Sequence, residues 1–141
     1  MSQYYRTDAV TPDDVTRARI SEAIACASPL HVETAAGFCG FVCNVVASGE
    51  AAECALVHEA GAIPVIFHCL RFGNNMRQHS PVRSACVALH LLTKSGGPVV
   101  VQAVQDVPDF EAVLIAARYF EPSLVRAVLL ALGLTRLAFS D

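Results

Sequence analysis

Three pairs of side chains have the residue types and the spacing to act as metal ligands. The members of each pair stand four residues apart, so on a helix they lie on one face. The pairs are Cys54 with His58, Cys86 with His90, and Cys39 with Cys43. Thiolate and imidazole are the ligands that zinc prefers, but a four-coordinate site needs two pairs that face each other. A zinc site is therefore a minor alternative, and we expect no metal and no cofactor.

A cysteine nucleophile is the second chemistry that these residues allow. A thiol could be activated by His58, His68 or His90. The sequence has no nucleophile elbow, no phosphate-cradling loop and no His-Glu-x-x-His run. A cysteine-dependent enzyme thus remains a minor alternative, and we predict that the chain is not an enzyme and has no catalytic residue. All six cysteines stand among apolar residues, which is typical of buried, reduced thiols.

Composition limits the class of protein. The chain has 141 residues, of which 54% are hydrophobic and 16% charged, with a formal net charge of −3. This is the size of one domain, and the charge gives no basic surface for nucleic acid. No apolar stretch reaches the roughly twenty residues of a membrane span, and the N-terminus has no secretory h-region. We expect a single cytoplasmic domain over residues 1–141 that binds neither nucleic acid nor membrane.

Helix signals fill the sequence, and no alternating run predicts a strand. A capping residue followed by proline marks four helix starts. These are Thr11-Pro12, Ser28-Pro29, Ser80-Pro81 and Glu121-Pro122. Gly73-Asn74-Asn75 predicts one long loop, from Gly73 to Ser80. The pattern is all-α, and the last helix carries leucine and valine on nearly all sides as far as Leu137, which predicts a homo-oligomer or a subunit of a larger complex.

Two apolar patterns recur along the chain. The face Ile63, Ile66, Phe67, Leu70 reappears 47 residues later, starting at Phe110. The face Ala85, Ala88, Leu89, Leu92 reappears 43 residues later, starting at Val128. A period in the forties is typical of helical repeats that stack into a solenoid.

One segment carries a family resemblance. Residues 44–49, followed by residues 54–66 and by Leu70, resemble the junction between armadillo repeats, as found in importin-alpha and beta-catenin. Within it, Gly61 suits a tight corner between helices and Pro64 suits a first helical turn. The resemblance implies an armadillo-like, right-handed α-solenoid of about three repeats without a β-sheet. It divides the chain into a flexible N-terminus (1–10), an N-terminal helix (11–28) and repeats at about 30–48, 49–95 and 97–137.

The resemblance also indicates an inner groove lined by the third helix of each repeat. Armadillo proteins of the importin type read a peptide there with a ladder of Asn and Trp. The equivalent residues here are Asn44, Leu91 and Leu134 for the Asn positions, and Gly40, Val87 and Leu130 for the Trp positions. Only Asn44 matches the ladder, so the groove is apolar and recognition of a basic localisation peptide is not expected. Either the N-terminal helix covers the groove or a partner's apolar helix or peptide docks in it.

The long loop is flanked by the one local group of basic residues. These are Arg71, Arg77, His79 and Arg83. They are interpreted either as a solvated loop or as a site for an acidic or phosphorylated partner. Together, these features predict a non-enzymatic interaction module or adaptor that binds a partner protein through an apolar inner groove. The alternative is a constitutive structural subunit of a large assembly of the cytoskeletal or flagellar type.

Overall fold

The computed structural model describes residues 12–27 and 30–140, which form nine α-helices and contain no β-strand. The helices are α1 (Pro12–Cys26), α2 (Val32–Val45), α3 (Ala51–Glu59), α4 (Ala62–Met76), α5 (His79–Ser95), α6 (Gly97–Gln105), α7 (Phe110–Ala117), α8 (Pro122–Ala131) and α9 (Thr135–Ala138). The all-α prediction is confirmed for these residues. The predicted flexible segment 1–10 and the predicted start at Ser28-Pro29 lie outside the described residues.

Helices that are three apart in the chain are neighbours in space. α5 packs against α2 on one side and α8 on the other, α3 packs against α6, and α4 packs against α7. α1 contacts α2, α3 and α4. The longest helix, α5, also packs along α4, so it lies at the centre of the molecule. One continuous core of buried aliphatic, aromatic and cysteine side chains runs between these helices.

The corner between α3 and α4 follows from one residue. Gly61 has φ +82°, and α3 and α4 meet there at a bend of 79°. Gly61 thus lies at a corner between two helices, as its residue type indicates, and Pro64 lies in the first turn of α4. Asp109 has the same role before α7, with φ +61°. Aspartate is one of the few residues besides glycine that tolerate this conformation, so the corner recurs without a glycine.

The predicted long loop from Gly73 to Ser80 is wrong. α4 continues to Met76 and α5 begins at His79, so only Arg77 and Gln78 separate them. Gly73 is buried because α5 approaches its backbone closely: a Cβ there would lie 2.7 Å from Cγ2 of Val82. The glycine thus permits a close helix contact and does not break the helix. Arg77, with φ +54°, ends α4, and the amide of Gln78 donates to the carbonyl of Gly73 at 3.0 Å.

The predicted single last helix is also wrong, because the chain turns at Gly133. This residue has φ +79°, its amide donates to the carbonyl of Leu130, and the amide of Leu134 donates to the carbonyl of Leu129. These two hydrogen bonds form a Schellman motif, which ends α8. Leu137 therefore lies on α9, half-buried against the core. The terminal leucines are shared between two helices and do not surround one.

Candidate functional site: the exposed face of α2, α5 and α8

Each of the adjacent helices α2, α5 and α8 has a stripe of side chains that is at least partly exposed, and we call the surface they form the α2–α5–α8 face. On α5 the buried residues point to the core at helical spacing, and the opposite stripe consists of Arg83, Val87, Leu91 and Lys94. Corresponding residues on α2 and α8 stand 47 residues before and 43 residues after those of α5. The face is continuous because α5 packs directly against both neighbours.

The six residues predicted to line the groove all have solvent-accessible positions on or beside this face. Asn44 is exposed, and Leu130 is 41% exposed. The half-buried members are Gly40, Val87, Leu91 and Leu134. Leu134 is the exception in its placement, because the turn at Gly133 moves it off α8 to the start of α9. The N-terminal helix α1 packs against α2, α3 and α4, and it has no extensive contact with α5 or α8.

The exposed charged residues of this face on α5 and α8 are basic. Arg83, Lys94 and Arg126 are exposed, and residues 60–105 contain no acidic residue. Sequence reasoning missed Lys94 and Arg126 as members of the face. The signal was available, since Lys94 stands seven residues after Val87 and Arg126 stands 43 residues after Arg83. The formal net charge of −3 gave no indication of these basic residues, because the acidic residues are concentrated in other parts of the chain.

The four predicted basic residues do not form one open cluster. The carboxylate of Glu121 accepts hydrogen bonds from His79 and, at 3.1 Å, from Nη1 of Arg83. Arg71 donates from Nη2 to the carbonyl of Pro108 at 2.7 Å, and Arg77 is exposed at the end of α4. The hydrogen bond from His79 is the main cause that holds the pKa of Glu121 below its ordinary value. These side chains therefore join α5 to α8 and α4 to the α6–α7 connection.

The thiols lie mostly in the core. Cys39, Cys54, Cys69 and Cys86 are buried, while Cys26 is exposed. A hydrogen bond to Cys69, together with burial, raises the pKa of the Cys39 thiol. Burial raises the pKa of Cys86 to about 12. These two thiols are protonated at neutral pH, which makes them weak nucleophiles and weak metal ligands.

Residues 12–27 and 30–140 hold no group of three or more His, Cys, Asp or Glu placed to share a metal ion. In the same residues, no single helix is long and apolar enough to cross a membrane; α3 and α4 reach that length only as a bent pair.

Comparison with known proteins gives no relative from which a role could be transferred. No family model, no curated protein and no solved structure matches the chain.

Proposed function

We propose that this chain is an armadillo-like, right-handed α-solenoid of about three repeats and that it acts as a non-enzymatic interaction module. Two regularities support the repeat. Helices three apart pack side by side, and α2, α5 and α8 would be the third helices of the repeats. Glycines with positive φ recur near the ends of these three helices, at Gly49, Gly97 and Gly133. The corner before the second helix likewise recurs, at Gly61 and Asp109.

The binding site that we propose is the α2–α5–α8 face. The observation that carries this proposal is the partly exposed apolar stripe Val87 and Leu91 on the central helix, which continues to Leu130 on α8. Burying this stripe against a partner is favourable, because apolar area removed from water contributes about 25 cal/mol of free energy per Å². A helix or an extended peptide that is bound in a groove contacts side chains at spacings of this kind. The partner that we propose is a protein segment with apolar residues in its middle. Carboxylates on either side of these residues would meet Arg83 and Lys94.

Single substitutions can add a charge to this site. A Cβ at Gly40 would meet nothing within 4 Å, so Gly40→Glu adds a charge to the face at a position with room for a side chain. Val87→Glu places the same charge at its centre. Met76→Glu is the matched control, because Met76 is 55% exposed on α4 and lies outside the face.

The test is quantitative affinity capture from native extracts with the wild type and these three variants. We expect one set of proteins to be retained by the wild type and by Met76→Glu, and reduced about tenfold or more by Gly40→Glu and Val87→Glu. Purified partner would then be titrated against each variant. Equal capture by all four proteins, with unchanged helical content, would rule out the α2–α5–α8 face as the binding site.

A constitutive structural subunit, in a cytoplasmic assembly of the cytoskeletal or flagellar type, is the second candidate function. The exposed aromatic side chains Tyr119 and Phe139, near the C-terminal end of the described chain, favour it. Such a subunit would leave native extracts as part of a large particle at both low and high salt. An adaptor would instead exchange between free and bound forms.

A further inference from the structure

The two ends of the row formed by α2, α5 and α8 differ in charge, and each end also has apolar residues on its surface. Residues 12–59 carry two arginines and seven acidic residues, a formal net charge of −5. Residues 60–140 carry seven basic and four acidic residues, a formal net charge of +3. The charge thus changes sign along the direction in which α2, α5 and α8 stack. We call the surface of α1 and α2 the N-terminal edge and that of α8 and α9 the C-terminal edge.

Contacts within the chain show which side of each third helix faces the next one. Arg83 on α5 pairs with Glu121, which is the N-cap of α8. On the other side of α5, the Cys43 thiol of α2 donates to the carbonyl of Ser84 at 3.7 Å. By the spacings of 47 and 43 residues, Arg126 occupies on α8 the position of Arg83, and Gly37 occupies on α2 the position of Ser84. Each edge therefore presents the side of a third helix that is used for stacking inside the molecule.

The N-terminal edge has an apolar pocket at this position. It has a volume of about 300 Å³ and lies between α1 and α2. Its lining residues are Ala23, Cys26, Ala27, Thr34, Gly37, Phe38 and Phe41. The one charged residue of α2 is Glu33, which lies in its first turn. The pocket thus has apolar walls, and Glu33 directly precedes its lining residue Thr34.

The C-terminal edge has complementary chemistry. Phe139 is 62% exposed, and the guanidinium of Arg126 lies over its ring, 5.4 Å from the centroid. α8 and α9 carry Arg126 and Arg136 and no acidic residue. An apolar side chain and a cation are therefore presented together, as the pocket with Glu33 requires.

We propose that a second copy of this chain docks head to tail, with its C-terminal edge on the N-terminal edge of the first. Phe139 and the exposed part of Leu130 enter the pocket between α1 and α2, and Arg126 approaches Glu33 of the other copy. The contact repeats the stacking of α5 on α2 across two molecules. It joins different surfaces, so each dimer keeps one free edge of each kind and can extend. The inference rests on the repeat proposed above; it shares Leu130 and Arg126 with the α2–α5–α8 face but does not require a peptide bound there.

The experiment is sedimentation velocity on the full chain from about 1 to 200 µM, with one variant for each edge. Gly37→Arg blocks the pocket, and a Cβ at this position meets nothing within 4 Å. Phe139→Asp removes the exposed ring from the other edge. Met76→Glu is again the control, since α4 lies between α1 and α7 and belongs to neither edge.

We expect the mass of the wild type and the control to rise with concentration, and each edge variant to associate at least about tenfold more weakly. An equimolar mixture of the two edge variants should form a heterodimer that does not extend, because each variant keeps one intact edge. Glu33→Arg should weaken association severalfold, and Glu33→Arg with Arg126→Glu should restore it.

Several results would overturn the inference. A wild type that stays monomeric at all concentrations would do so, as would a dimer unaffected by Gly37→Arg. A mixture of the edge variants that remains monomeric would also exclude it. The proposed function would fail separately, through partner capture that Gly40→Glu and Val87→Glu leave unchanged.

Discussion

Replacing Gly73 by alanine tests whether α4 and α5 pack as closely as the structure has them. The new Cβ would lie 2.7 Å from Cγ2 and 3.1 Å from the backbone nitrogen of Val82, and 3.3 Å from the carbonyl oxygen of Gln78. The first turn of α5 must therefore move by several tenths of an ångström. Such overpacking costs about 1–3 kcal/mol, whereas alanine in place of glycine favours a helix by about 1 kcal/mol. We expect the free energy of unfolding to fall by roughly 0–2 kcal/mol after both effects.

Gly37→Ala is the matched control, because a Cβ at this helical position meets nothing within 4 Å. Only the helix preference remains there, so this variant should gain up to about 1 kcal/mol. The free energy of unfolding of both variants is measured by urea unfolding at low protein concentration, followed by circular dichroism at 222 nm. Intrinsic Trp fluorescence cannot be used, because the chain has no Trp. If Gly73→Ala is stabilised as much as Gly37→Ala, α4 and α5 do not approach as described, and the reasoning is refuted.

Three further predictions concern a carboxylate, the thiols and a second close approach. Glu121→Gln should lower the free energy of unfolding by about 1 kcal/mol at pH 7. Because the folded pKa of Glu121 is lowered, its stabilisation is present above the ordinary glutamate pKa and should disappear as the pH falls through the folded pKa; a pH-independent difference would contradict this. In native protein, a disulfide reagent should react fastest with Cys26, and Cys26→Ser should remove this phase while Cys86 stays protected. Gly96→Ala should destabilise the chain by about 2 kcal/mol or more on thermal melting, because its Cβ would lie 2.6 Å from the Leu92 carbonyl oxygen and from Val100; an unchanged melting temperature would argue against this packing.

The sequence predicted helices well where start signals and apolar spacing agree. α8 begins at Pro122 and α4 at Ala62, as the capping and corner residues indicate. The same reasoning failed at Gly73 and Gly133, and for opposite reasons. At Gly73 a glycine was interpreted as a break, although it only allows α5 to approach; at Gly133 a glycine with positive φ ends a helix that the leucine pattern seemed to continue.

The candidate face was predictable in part. Spacing placed Val87 and Leu91 on one helix stripe, because the helical period alone determines which side chains share a face. It could not show that His79 and Arg83 share Glu121, since this depends on how α5 and α8 pack. Long-range packing of this kind depends on core side-chain shape, which a single sequence does not reveal.

Photo-crosslinking tests most directly the claim that a partner protein binds to the α2–α5–α8 face. Benzoylphenylalanine would replace Val87 at the centre of the face, or Met76 as the exposed control outside it. After irradiation in the native source, we expect a crosslinked partner protein from position 87 and none, or much less, from position 76. Crosslinking from position 76 with none from position 87 would contradict the proposed binding site.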